Sequence, residues 1–296
     1  AGDLALRGGD TAAAQRHRSV AIGVFERVAR VRPDVAIYHA RTLVKLGDLA
    51  AATDPQAVES SYLRAHAVFE AAAAQPDATL TERDELGWSL ERLGGAAWAR
   101  GEFARTFALA QRRLDLAEDL FAADPDGLRA YHLGSALAHL VVYGRQQPAA
   151  RPFDAATLRR HAERGAAMAA EAVRQQPSRR PFLVLAIRTH DYLASLASEA
   201  NDLALAGSSV AAWVGFADAL WESDRASDEA LAHMLLARQA KARLLRRQGD
   251  LDGARNALVH HAHLVDRLEP ERLPPAINRA QFDSLWADID LVRRPR

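Results

Sequence analysis

Proline recurs along this chain at regular distances in polar surroundings: Arg32-Pro33-Asp34, Gln75-Pro76-Asp77, Asp124-Pro125-Asp126, Gln176-Pro177-Ser178 and Glu269-Pro270-Glu271. Proline lacks the amide hydrogen an interior helical turn needs and forces its predecessor into extended backbone, so each site stops a helix. The spacings are 43, 49, 52 and 93 residues, and Glu222-Ser223-Asp224 supplies a proline-free stop near the middle of the widest gap. Six ends near 33, 76, 125, 177, 224 and 270 make an internal repeat, the signature of stacked supersecondary units.

The segments between the stops read as helix throughout. Ala, Leu, Arg and Glu fill them at helical spacing, as in the stripe Leu86, Leu90, Leu93, Ala97, and no run alternates in the period-two manner of a strand. A second signal falls inside the period, where glycine precedes an acid at Gly9-Asp10, Gly47-Asp48, Gly101-Glu102 and Gly249-Asp250. Glycine takes the left-handed turn that closes one helix, and the acid then meets the positive end of the next. Each unit is therefore expected to be helix A, tight turn, helix B, with turns near 47–55, 101, 144–154, 207 and 249.

Leu93-Gly94, Gly101-Glu102-Phe103-Ala104 and Ala123-Asp124-Pro125-Asp126 together resemble tetratricopeptide (TPR) repeats, in the long form found in C-terminal regions of bacterial serine/threonine kinases and related signalling proteins. Gly9-Asp10 through Ala14, and Gly249-Asp250-Leu251 with Ala254, repeat the theme. The pattern departs at Thr106, which stands where Ala14 and Ala254 stand, at the Thr53-Asp54-Pro55 interruption, and at the proline-rich insertion from Pro148 to Pro152. The expected fold is an all-α right-handed superhelical solenoid of about six helix pairs over residues 1–273, with a capping helix and tail over 274–296 opened by Pro274-Pro275. Ala1–Gly8 reads as the tail of a helix that begins upstream.

Composition removes several functions. The 38 basic residues balance 38 acidic ones, which speaks against a general nucleic-acid binder. Without cysteine there is no thiolate nucleophile and no cysteine-based metal site, an absence that fits a reducing cytoplasm. All but two of the basic residues are arginine, which with the abundant alanine suggests a GC-rich bacterial genome. Phosphate loops, GxSxG elbows and HExxH helices are missing, so no catalytic residue, cofactor or metal is expected. The His260, His261, His263 cluster is the only weak candidate for a metal, and with His132 and His139 it carries the remaining enzyme reading. The uncharged stretches Ala130–Gly144 and Leu203–Ala217 are too short for a bilayer span and read as buried helices.

By resemblance, helix A surfaces line the concave side of such repeats, so polar stripes on A helices are the candidate binding residues: Trp88 with Arg92; His132, Ser135, His139 and Tyr143; and Arg188, Asp191, Ser195 and Asp202. The function implied is a non-enzymatic scaffold for a protein or peptide, the interaction region of a signalling protein. The alternative is a small-molecule sensor with an uncharged pocket around Ala130–Gly144 and Leu203–Ala217. Residues 145–188 carry net charge +6 and residues 191–235 net charge −7. Such blocks either pair with each other across stacked repeats or join two copies of the chain.

Overall fold

A computed structural model describes residues 10–29, 35–50, 55–265 and 287. Among them are eleven helices and no strand: α1 (Thr11–Ala29), α2 (Ala36–Ala50), α3 (Pro55–Ala73), α4 (Leu80–Ala99), α5 (Phe103–Ala123), α6 (Gly127–Gln146), α7 (Ala155–Gln175), α8 (Arg180–Glu199), α9 (Leu203–Ser223), α10 (Asp228–Arg247) and α11 (Leu251–Val265). The chain is all-α, with helices packed in consecutive pairs. The repeat ends near 33 and 270 and the closing helix of 274–296 lie outside the described residues.

The described helices form two compact units, one of α1–α5 with the end of α6 and the other of the rest of α6 with α7–α11. In the first, Leu43, Phe69 and Leu90 are fully buried on α2, α3 and α4. In the second, Phe182, Leu183 and Ile187 on α8, Leu220 on α9 and Leu235 on α10 are fully buried. Ala14, Thr106 and Ala254 are each completely buried, so the repeat position they share demands a small side chain. Threonine fits there because its hydroxyl is satisfied by the Glu102 carbonyl at 3.2 Å.

Three turns share one hydrogen-bond pattern. After α4, Gly101 at φ 74° donates to the Trp98 carbonyl and Glu102 donates to that of Ala97. After α10, Gly249 at φ 83° and Asp250 do the same to Arg246 and Leu245. After α8 the left-handed residue is Asn201, at φ 57°, with bonds from Asn201 and Asp202 to Ser198 and Ala197. Each pair closes two carbonyls that a helix end leaves open.

Two expected turns are displaced. Gly207 lies inside α9, because Asn201 makes the turn and Asp202 caps the helix with its carboxylate on the Leu205 amide at 3.1 Å. Gly47-Asp48 lies in the last turn of α2 rather than opening a new helix. Glycine is needed there because a Cβ would meet the Tyr62 ring at 2.5 Å, while the Tyr62 hydroxyl donates to Asp48 Oδ1 at 2.7 Å.

Neighbouring repeats are also linked by charge. Arg41 reaches Glu85 (2.6 Å), Arg92 reaches Asp48 (2.9 Å), Arg105 reaches Glu59 (2.9 Å) and Arg159 reaches Asp202 (2.6 Å). Arg180 holds both Asp224 (2.8 Å) and Glu229 (2.6 Å), and Arg64–Glu26, Arg100–Glu59 and Arg112–Glu70 continue the series. The partners are 38 to 49 residues apart, so the ion pairs keep the period of the helix stops. The oppositely charged blocks 145–188 and 191–235 thus pair internally through Arg159 and Arg180.

Helix α9 is, among the described residues, the one helix long and apolar enough to cross a membrane. It carries Asp218, which pairs with Arg238 at 2.5 Å, and it packs between α8 and α10 with Trp213, Val214 and Leu220 buried. Those contacts are those of a core helix.

Candidate cleft between helices α8, α9 and α10

The three polar stripes meet different fates. On α4, Arg92 is held by Asp48, and the guanidinium of Arg113 lies 5.9 Å from the Trp88 ring centroid. Arg113 is 4% exposed and pairs with Glu91 at 2.6 Å, so this surface is closed by a nearly buried ion pair. On α6, His132, Ser135 and Tyr143 are buried, and His139 Nδ1–H donates to the Ser135 carbonyl at 2.8 Å. Tyr143 stacks on Trp98 with 4.7 Å between ring centroids and meets Phe107 edge-on. Burial pushes its hydroxyl pKa up. This stripe has the character of packing.

The third stripe divides. Arg188 is exposed, with Nη2 3.3 Å from the Tyr192 hydroxyl. Asp202 lies past the end of α8, where it caps α9 and binds Arg159; both bonds hold its carboxyl below the usual range. Asp191 and Ser195 open into a cleft of about 390 Å3.

That cleft has three walls, all in the second unit. From α8 come Asp191, Ala194, Ser195, Ser198 and Glu199; from α9, Val210 and Trp213; from α10, Ala240, Arg243, Leu244 and Arg247. The walls arise from the repeat itself: α8 and α10 are successive A helices, and the intervening B helix contributes the floor. An apolar base with a few polar groups above it is the usual make-up of a ligand-binding concavity. One wall ends acidic and the other basic. Arg247 spans toward α8 through long contacts, 3.4 and 3.5 Å, to the Ser198 carbonyl and 3.4 Å to Asn201 Oδ1.

Sequence reasoning missed Trp213, Arg243 and Arg247. The available signal was the C-terminal half of α10, where Arg238, Lys241, Arg243, Arg246 and Arg247 stand without an acid among them. His190 of α8 packs against Phe216 of α9, with ring centroids 5.5 Å apart, and burial lowers its pKa to about 4. The described residues contain no group of three or more His, Asp or Glu placed to hold a metal, and the side chains of His260, His261 and His263 lie outside the described residues.

Comparison with solved structures places this architecture among helical-repeat proteins. BtubC from P. vanneervenii matches with a TM-score of 0.61 at 14% identity, over 88% of this chain and 94% of its own. The S. pombe nuclear import adaptor Nro1 matches with a TM-score of 0.65 at 14% identity, over 96% of this chain and 95% of its own. No protein-family model matches the sequence, and no curated protein matches it. At such identity the likeness is one of fold.

Proposed function

We propose that this chain is a non-enzymatic protein-binding scaffold of the TPR type that receives an extended peptide segment of its partner in the cleft between α8 and α10. The observation that carries the reading is the cleft itself, a groove between successive A helices into which Asp191 and Ser195 open. A groove built on packed helices is ordered before its ligand arrives, which lowers the entropic cost of binding. Nro1, a nuclear import adaptor, provides an instance of a comparable array used as an adaptor. The sequence resemblance to repeats of bacterial kinases and their relatives extends the proposal to the interaction region of a signalling protein.

The test is substitution inside the groove. Ser195→Trp fills the cleft from a half-exposed helical position. A partner that co-purifies with the native chain is expected to be lost from this variant while helicity and melting are retained. Equal recovery by both chains contradicts the proposal. The cleft volume also suits a small ligand, which is the second reading. A rise in melting temperature with one compound from a metabolite panel, abolished by Ser195→Trp, favours it.

A further inference from the structure

Among the residues that line the cleft, one hydrogen-bond donor and one charge go unanswered. Trp213 is 7% exposed, and its indole N–H has no acceptor. Arg243 itself is exposed and makes no hydrogen bond or ion pair among the described residues. By contrast, Asp191 and Glu199 on the facing wall already interact within the fold.

Two consequences follow from this asymmetry. An indole N–H and a guanidinium donate and never accept, so the ligand that complements them is rich in oxygen acceptors. Of the charged groups that line the cleft, Arg243 is without a hydrogen bond or ion pair among the described residues, and it is positive. We propose that the cleft selects an acidic peptide segment, with side-chain carboxylates of the ligand on Arg243 and Arg247 and a main-chain carbonyl facing the Trp213 indole N–H. A peptide fits this arrangement better than a small acid does. Arg243 and Arg247 lie one turn apart on α10, about 5.4 Å, and an extended acidic chain offers carboxylates and carbonyls along its length. Arg247 binds Ser198 only through long contacts, so a carboxylate competes with them readily. The peptide lies across the acidic wall with its own acids turned toward α10.

This inference rests on the scaffold reading above and assigns it a ligand chemistry. The probes are three acetylated, amidated decapeptides of matched apolar content carrying four Glu, four Gln or four Lys, titrated into the full chain by calorimetry at low and high salt. The Glu peptide is expected to bind most tightly and to weaken with salt. Arg243→Ala, at an exposed position that makes no hydrogen bond or ion pair among the described residues, is expected to weaken it about tenfold, the scale of one charge-assisted hydrogen bond. Arg243→Glu is expected to transfer preference to the Lys peptide. Equal binding of the Glu and Gln peptides, no binding of the Glu peptide at millimolar concentration, or an unchanged affinity in Arg243→Ala overturns the proposal. Free glutamate competing as well as the Glu peptide also overturns it, in favour of a small acid. If Ser195→Trp abolishes partner capture while the acidic peptide stays inert, the ligand chemistry is wrong and the scaffold reading stands.

Discussion

At the residue scale, Asn201 does the work that glycine does in two other turns. A left-handed backbone is costly for most residues, and asparagine is among the few non-glycine types that adopt it routinely. Asn201→Gly is therefore expected to hold or slightly raise stability. Asn201→Ala should lower it by about 1 kcal/mol, read from urea unfolding. This substitution also marks where the sequence stopped being legible. The Gly101 and Gly249 turns are visible as Gly-acid pairs, but the Asn201-Asp202 turn has the same geometry without the glycine. A search for glycine moves on to Gly207, which is helical. Gly47 misleads in the opposite direction, since its small size serves the Tyr62 contact. His190 gives a second prediction. Burial lowers its pKa from 6.5 to about 4, so between those values the unfolded chain binds a proton that the folded chain refuses. Stability contributed by neutral His190 is thus present above about pH 6.5 and falls as pH drops toward 4, by up to about 3 kcal/mol. Urea midpoints measured from pH 4 to pH 7 should rise with pH, and the rise should shrink in His190→Gln. An unchanged slope would show that His39, His66 and His233, whose pKa values burial also lowers, carry the dependence instead.

At the scale of elements, glycines separate close approach from open surface. A Cβ on Gly134 of α6 would lie 3.2 Å from the Ala169 amide nitrogen and 3.3 Å from the Gly165 carbonyl, both backbone atoms of α7. Backbone in a packed helix cannot give way as a side-chain tip does, so the overpacking penalty outweighs the gain in helix propensity. Gly134→Ala is expected to destabilise by about 1–3 kcal/mol. Gly95 of α4 is exposed, and a Cβ there meets nothing within 4 Å. Gly95→Ala should therefore stabilise by about 0.5–1 kcal/mol, because only the backbone entropy term remains. Melting both variants beside the native chain checks the two signs together; matching shifts would mean that helix propensity alone governs these positions. Periodicity gives both glycines as helical and cannot tell them apart. The difference lies in which neighbouring helix presses on each one. The same holds for the cleft. The stripe on α8 is legible as a polar face, whereas the contribution of Trp213 and Arg243 depends on α9 and α10 stacking beside it.

At the scale of the whole molecule, the repeat period appears twice, in helix stops that local chemistry dictates and in ion pairs that only stacking brings together. The stops are legible because proline acts on its own backbone. The pairs are not, because a helical arginine has carboxylates at several spacings and the fold chooses among them. Most of these pairs are partly exposed, so each contributes about 0–1 kcal/mol, less in high salt. Their value lies in locality, since each links one repeat to the next and shares no partner with pairs several repeats away. In quasi-one-dimensional arrays stability is close to a sum of repeat terms and nearest-neighbour terms. Arg41→Ala breaks the pair with Glu85, and Arg159→Ala breaks the bonds to Asp202 and Glu163. The double variant is expected to lose the sum of the two single losses to within about 0.5 kcal/mol. Arg100→Ala with Arg105→Ala should instead deviate from additivity, because both arginines hold Glu59 and Glu102. Urea unfolding of the four single and two double variants decides the matter. Strong coupling between Arg41 and Arg159 would mean that the array unfolds through longer-range cooperation than neighbouring contacts supply.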